Sequence, residues 1–343
     1  MEMDLLEKLC RAHGVSGFED EVAGILEAEF KKHADDVFTD SFGNIIASKG
    51  SGKKSIMLAA HMDEIGLMVK HITSEGFIYF VKIGGIDNRI LLNQRVIIKT
   101  KKGDVQGVIG AKPPHLQKAE ERKKVVKHDD MFIDIGLASK KAVEKKVSVG
   151  DPVIFEPNYG QLAGKLYYGK AIDNRIGCYA LVKILAALPK NLSKKVYVVG
   201  SAQEEVGLKG ARVAAYRLKP DYALAIDTTI AGDTPSVTEK ESSLQLGKGP
   251  AITIMEASGR GVITHPKVKD LLVRSAKKKK IPTQIDVLEG GMTDAAIIYL
   301  TREGIPSGVV SIPTRYIHGP SSVFSMKDLD DAIKLTVEAV KSF

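Results

Sequence analysis

A change of pattern near residue 66 limits the folds open to this 343-residue chain more than any other feature. Residues 1–65 combine two amphipathic helical segments with the apolar runs NIIASK and SIMLAA, and the second run is typical of a strand buried on both faces of a parallel sheet. Residues 66–163 contain short strand patterns separated by glycine turns, such as GFIYFVKIGG and DPVIFEP. From residue 164 the alternation of helix and strand returns.

These patterns predict an α/β protein whose sheet is mixed, largely parallel and flanked by helices. We expect one α/β domain to comprise residues 1–65 and 164–343, with a small all-β domain of PDZ-like or barrel type inserted at residues 66–163. Helices are predicted at 174–188, 207–217, 266–279, 294–303 and after Ser325, and strands at 195–200, 222–226, 283–287 and 307–312.

Two further predictions are local. Ser16 and Glu19 have the spacing of a capping box and predict the start of the second helix. Residues 112–130 are highly charged and lack apolar periodicity, so we expect a long mobile loop there.

Composition argues against several classes of protein. The net charge is +8, but arginine is scarce beside lysine and tryptophan is absent, so nucleic acid is not an expected partner. No apolar run is long enough for a membrane span and no cleavable signal is visible, so we expect a cytoplasmic protein without a membrane partner. Cys10 and Cys178 lie in apolar helical patterns and are predicted to be buried, without a redox role. Abundant lysine and glutamate fit a thermophile.

Acidic and imidazole side chains stand where the predicted strands end. They are His61 and Asp63 after SIMLAA, Glu204 and Glu205 after VYVVG, Asp227 after YALAI, His318 after GVVSIP, and Asp173 at the start of the helix that precedes VYVVG. Alone, each has an ordinary explanation, such as a helix cap, a turn or a solvated charge. Because the carboxyl ends of parallel strands meet at one edge of a sheet, we expect the whole set to converge there.

Such a set of acids needs compensating positive charge. Arg175 and Lys209 are the nearest basic residues in the sequence and are too few, whereas divalent cations would balance the charge. Imidazole and carboxylate ligands suit zinc, cobalt or manganese, and a bridging carboxylate lets five ligands hold two metals. Of the adjacent Glu204 and Glu205, one would bind metal and the other would transfer protons. Asp63 could orient the ring of His61. We assign structural roles to the other histidines.

In this order, the motifs AAHMDEIG, GKAIDNRIG, SAQEEVGLKGA, AIDTT, GGMTDAA and TRYIHGP resemble the tetrahedral aminopeptidases, dinuclear metallopeptidases that have often been labelled endoglucanases. The resemblance covers essentially the whole chain. It implies the dinuclear zinc-exopeptidase fold, release of N-terminal amino acids from peptide substrates, and two divalent ions per subunit, Zn²⁺ or Co²⁺ and possibly Mn²⁺. It also implies a homo-oligomer, in which dimers formed by the β insertion assemble into a tetrahedral dodecamer and the loop 112–130 reaches a neighbouring site.

The same resemblance implies a role for each site residue. His61 and Asp227 would bind one metal, Glu205 and His318 the other, and Asp173 would bridge them; Glu204 would be the general base, Asp63 would support His61, and GGMTDAA would lie near the substrate backbone. Three other functions remain compatible with the residues. They are a dinuclear deacylase of small acylated substrates, a glycosidase that uses two carboxylates, and a scaffold that binds structural ions.

Overall fold

The computed structural model of the protein describes residues 3–343. Its helices are α1 (Leu5–Arg11), α2 (Asp20–Phe30), α3 (Ala119–Arg122), α4 (Lys140–Glu144), α5 (Ile172–Ala187), α6 (Lys209–Leu218), α7 (Pro266–Lys279), α8 (Ala295–Ile298) and α9 (Met326–Ser342). Its strands are β1 (Asp36–Thr39), β2 (Ile45–Lys49), β3 (Ser55–His61), β4 (Gly66–Ile72), β5 (Ile78–Ile83), β6 (Arg95–Thr100), β7 (Gly103–Ala111), β8 (Met131–Asp134), β9 (Pro152–Phe155), β10 (Tyr159–Gln161), β11 (Leu166–Gly169), β12 (Lys195–Ser201), β13 (Tyr222–Ile230), β14 (Ala251–Met255), β15 (Gln284–Val287), β16 (Ser307–Arg315) and β17 (Ser322–Ser325).

Strands from both sides of the predicted insertion form one mixed sheet. Its order is β1-β2-β12-β3-β13-β16-β17-β11-β10, and β14 pairs with both β15 and β16. The central strands β12, β3, β13 and β16 run parallel, and the outer pairs β1–β2, β2–β12, β16–β17, β17–β11 and β11–β10 are antiparallel. The predicted fold class is confirmed, and the parallel centre brings four carboxyl ends to one edge.

Helices cover both faces of this sheet because its central strands are apolar on both sides. In β3, Ile56 and Leu58 belong to the core shared with α1, α2, α5, α7 and α9, whereas Met57 and Ala59 belong to the core shared with α6 and α8. All four side chains are at most 1% exposed. Two-sided burial is the reason SIMLAA lacks a polar alternation.

The inserted segment forms a closed barrel in the order β4-β5-β8-β7-β6-β9. Alternate residues of its strands, such as Leu67 and Val69 in β4 and Val96 and Ile98 in β6, fill a core separate from that of the sheet. The predicted all-β insertion of barrel type is therefore present. The exact domain boundaries at 65/66 and 163/164 stay a prediction.

The capping box predicted from Ser16 and Glu19 is wrong. Helix α2 begins at Asp20, and no side chain caps its amino end. The Ser16 hydroxyl donates to Asp63 (2.6 Å), and Glu19 Oε1 accepts from the backbone N–H groups of Gly17 (2.8 Å) and Gln203 (3.0 Å). Both side chains thus form hydrogen bonds to residues near the sheet edge, and neither caps α2.

Other local predictions concern one helix, the two cysteines and the loop 112–130. The helix predicted at 294–303 covers only Ala295–Ile298, because the chain then turns towards β16 with Arg302 and Gly304 at positive φ. Cys10 and Cys178 are free and buried, as predicted. Within residues 112–130, α3 and two short 3₁₀ turns carry mostly exposed side chains, and the mobility of this loop stays a prediction. Among the described residues, none of the helices combines the length and the apolar character that crossing a bilayer requires.

Candidate active site

The structure brings the predicted strand-end residues together at the carboxyl edge of the sheet. His61 is the last residue of β3, Asp227 lies inside β13, Glu204 and Glu205 follow β12, His318 follows β16, Asp63 follows β3, and Asp173 opens α5 where the backbone is not yet helical. All of them except Asp63 line one cavity of about 640 Å³.

Two groups of potential ligand atoms share the carboxylate of Asp173. Its Oδ1 lies 3.2 Å from Nε2 of His61, which in turn is 3.7 Å from Asp227. Its Oδ2 lies 3.5 Å from Nε2 of His318, which is 3.4 Å from Glu205. In each group the ligand atoms lie within 4.8 Å of one another, so each oxygen of Asp173 faces a different potential metal position.

Both imidazole rings are held by their other nitrogen. Nδ1 of His61 is 3.1 Å from the backbone carbonyl of Asp63, and Nδ1 of His318 is 2.9 Å from the carbonyl of Gly85 in the barrel. A carbonyl oxygen can only accept, so Nδ1 is the donor in each ring and Nε2 is left to face the acids. At Gly85 a side chain would crowd this ring, because a Cβ there would lie 3.0 Å from Nδ1 of His318.

The adjacent glutamates face different parts of the site. Glu205 belongs to the His318 group, whereas Glu204 belongs to neither group and has its Oε2 4.0 Å from Nε2 of His61. The carboxylate of Asp63 accepts the backbone N–H of Glu204 (2.8 Å) and that of Glu205 (3.1 Å). Asp63 therefore positions both glutamates, a function that sequence reasoning did not foresee.

Side chains from the first 63 residues hold the whole turn that carries these glutamates. Asn44 accepts the N–H of Ala202 (2.9 Å) and Glu19 accepts that of Gln203 (3.0 Å), so four successive N–H groups, from residue 202 to residue 205, end on side-chain oxygens. Gln203 adopts a left-handed backbone (φ 58°), a conformation that such contacts can stabilise. Sequence reasoning missed Asn44 and the true partners of Ser16 and Glu19.

The site carries more negative charge than its own residues neutralise. Burial raises the pKa of Glu204 and of Asp227 well above the usual range, and burial with the nearby Asp173 raises the pKa of Glu205 to about 7. Burial lowers the pKa of His61, but the surrounding acids, first Glu204 and then Asp173, outweigh it and the pKa is raised. The pKa of Asp173 is lowered, because its contact with His61 outweighs burial.

The basic residues expected nearby do not supply the missing charge. Arg175 is fully buried and donates to Glu64 (3.0 Å), which also accepts from the buried Lys170 (2.6 Å). Lys209 contacts Gln203 at 3.4 Å, outside the cluster of acids. The donor set of imidazole and carboxylate, with surplus negative charge, therefore fits divalent cations.

Comparison with known proteins decides the family. The family model described as M42 glutamyl aminopeptidase matches residues 43–335, most of the chain. The chain belongs to the M42 aminopeptidase family. Its resemblance to the tetrahedral aminopeptidases and its predicted class, a hydrolase that acts on peptide bonds, are confirmed, and the family implies divalent metal ions.

Individual aminopeptidases and peptidases match over at least 93% of their own length. A putative aminopeptidase of Acetivibrio thermocellus is 43% identical over 338 residues, with 98% of each chain covered. The solved structure of an aminopeptidase from the archaeon Desulfurococcus kamchatkensis matches with a TM-score of 0.94 and 44% identity, covering 98% of this chain and 93% of that one. The TET1 peptidase of Pyrococcus horikoshii, described as assembling into a tetrahedron or a large octahedral shell, matches with a TM-score of 0.88 and 36% identity, covering 98% and 99%.

Proposed function

We propose that this M42 aminopeptidase releases N-terminal amino acids from peptides with two divalent cations. His61 and Asp227 would hold one cation, Glu205 and His318 the other, and Asp173 both. The observation that carries the proposal is the position of Asp173, whose two oxygens face two separate imidazoles at 3.2 and 3.5 Å. Zinc, cobalt and manganese all accept these ligand types.

Cations bound there would polarise the scissile carbonyl and make a water molecule acidic enough to attack it at neutral pH. Side chains of the protein would transfer the proton and position the catalytic groups. Glu204, which stands outside both ligand groups, accepts a proton from the attacking water and returns it to the leaving amine. Asp63 is a positioning residue, because it holds the backbone of Glu204 and lies behind the ring of His61.

Substitution of Glu204 by glutamine tests the division between base and ligands. Elemental analysis should find the metal content of Glu204→Gln equal to that of the wild type, while turnover of aminoacyl anilides falls by about 10²–10⁴-fold. The matched variant Glu205→Gln should lose metal as well as activity. Unchanged turnover in Glu204→Gln would refute its role as base. Equal cleavage of free and N-acetylated peptides by the wild type would favour the deacylase instead.

The assembly is also proposed from similarity. Because the similar TET1 peptidase of Pyrococcus horikoshii forms closed shells, we infer that residues 66–163 form dimers and that dimers assemble into a tetrahedral dodecamer. The exposed, charged loop 112–130 would then reach a neighbouring site. Light scattering and peptide turnover should both change when this loop is deleted. If neither changes, the loop has no part in assembly or in the site.

A further inference from the structure

A second cavity, of about 540 Å³, lies between α6 and α8 on the sheet face that these helices cover. Its walls include Arg212 and Tyr216 of α6, and Leu300 and Arg302 in the segment that follows α8. Tyr216 is 60% exposed and Leu300 is 61% exposed. This cavity, called the α6–α8 cleft below, is therefore open to solvent and presents an apolar surface to it.

Both walls of the cleft start at the rim of the active-site cavity. Leu208 lines that cavity directly before α6, and Arg212 and Tyr216 of the cleft follow it at intervals of four residues. Thr293 lines the same cavity just before α8, and Ile297 of the cleft follows it after four residues. Residues four apart in a helix lie on one face, about 6 Å apart along the axis. The cleft therefore begins about one helical turn from the active-site cavity.

The two arginines of the cleft have no carboxylate partner. Arg212 and Arg302 are exposed, and all arginine–carboxylate ion pairs within residues 3–343 are formed by other arginines. Arg302 is nevertheless held in place, because its guanidinium carbon lies 3.9 Å from the centre of the Tyr216 ring and its Nε donates to the Tyr216 carbonyl (2.9 Å). Its Nη groups face no acid, and a guanidinium fixed in this way binds a carboxylate with little loss of side-chain freedom.

The chemistry of the cleft suits a ligand with an apolar group beside a carboxylate. The two arginines would repel a cationic segment, and an uncharged apolar segment would use the apolar surface but neither arginine. A peptide whose amino end lies at the acid cluster extends by about 3.3 Å per residue, so a chain of about five to seven residues reaches the cleft. Its terminal carboxylate is the one acidic group that every such peptide carries, whatever its sequence.

We propose that the α6–α8 cleft binds the carboxyl-terminal end of the peptide whose amino end occupies the active site. Tyr216 and Leu300 contact the last side chain, and Arg302 and Arg212 bind the terminal carboxylate. The inference rests on the proposed aminopeptidase function and adds a second contact for its substrate. It gives peptides of about five to seven residues an advantage that the residues of the acid cluster alone do not provide.

Two hexapeptides of five alanines followed by leucine test the inference, one with a free terminal carboxylate and one with a carboxamide. The lower end of the range for a hydrogen bond to a charged group corresponds to about tenfold, so the wild-type KM should be about tenfold lower for the free acid. In Arg302→Gln the ratio of the two KM values should fall below about twofold, and Arg212→Gln should lower it in part. Arg274→Gln removes an exposed arginine of α7 outside both cavities and should leave the ratio as in the wild type.

Calorimetric binding of the N-acetylated hexapeptides separates this inference from the proposed function, because the acetyl group blocks the amino end that an aminopeptidase requires. Tighter binding of the acid than of the amide, lost in Arg302→Gln, supports the cleft even if the enzyme hydrolyses no peptide, a result that would refute only the proposed function. A wild-type ratio near one, in KM or in affinity, overturns the inference. An equal loss for both peptides in Arg302→Gln also overturns it, because the arginine would then act on the fold or on the shared part of the peptide. If a carboxamide that ends in glutamate binds as tightly as the free acid, the assignment to the carboxyl terminus is wrong.

Discussion

Removal of one hydroxyl group, in Ser16→Ala, should weaken metal binding without unfolding the protein. Ser16 donates to Asp63 at 2.6 Å, and Asp63 is 0% exposed. A hydrogen bond to a buried charge contributes about 1.5–3 kcal/mol. Because Asp63 keeps the N–H groups of Glu204 and Glu205, we expect the lower end, about 1.5 kcal/mol. The other oxygen of the Asp63 carboxylate lies 3.4 Å from Nδ1 of His61. If the lost hydrogen bond acts through this contact, about 1.5 kcal/mol corresponds to about tenfold weaker metal binding.

Competition titrations of the metal-free protein with zinc and a chelator of known affinity measure this effect. Asp63→Asn should weaken binding more, by up to about 100-fold, because it disturbs all of these donors. In the double variant the two effects should not add, since both act through the same carboxylate. Ser41→Ala, at an exposed serine, is the matched control. Unchanged affinity in Ser16→Ala, or strict additivity in the double variant, would refute the reasoning.

Three further predictions concern stability. Burial lowers the pKa of His13 from 6.5 to about 4. Between these two pH values the unfolded chain takes up a proton and the folded chain does not, so the free energy of unfolding is highest above pH 6.5 and falls by about 3 kcal/mol towards pH 4. Urea titrations at several pH values should show a smaller fall in His13→Gln. Glu64→Gln leaves the buried Lys170 and Arg175 without their shared anion, so the free energy of unfolding measured in urea should fall by about 3–5 kcal/mol. The control Glu27→Gln removes an exposed ion pair with Lys31 and should lower it by less than about 1 kcal/mol. Chelation of divalent ions should lower the melting temperature because the buried acids then repel one another, and added zinc should restore it; an unchanged melting temperature would contradict a metal-filled site.

The convergence of the site could be predicted because it follows from a general property of parallel sheets. His61 and Asp227 lie in neighbouring parallel strands, so their positions along the sequence already place them near one edge. The apolar runs before them identify those strands without knowledge of tertiary contacts. For this reason the residues brought together by the structure are those the sequence singled out.

The supporting contacts could not be predicted because they join distant parts of the chain. Ser16 and Glu19 fit a local capping box, yet their partners are Asp63 and Gln203, 47 and 184 residues away. Asn44 accepts the N–H of Ala202, 158 residues away, and gave no signal of its own in the sequence. Residue spacing along the sequence predicts only local structure, whereas these contacts depend on how helices and strands from distant parts of the chain pack together.

The carbonyl of Gly85 has a consequence for how such an enzyme can be rebuilt. It belongs to the barrel, yet it fixes the ring of His318 at the edge of the other domain. A protein engineer who exchanged the barrel for another one would need to keep a backbone carbonyl at this place, with glycine preferred because a Cβ would crowd the ring. Exchange of the barrel alone would therefore remove a contact that orients a proposed metal ligand, although the barrel and the sheet each have their own hydrophobic core.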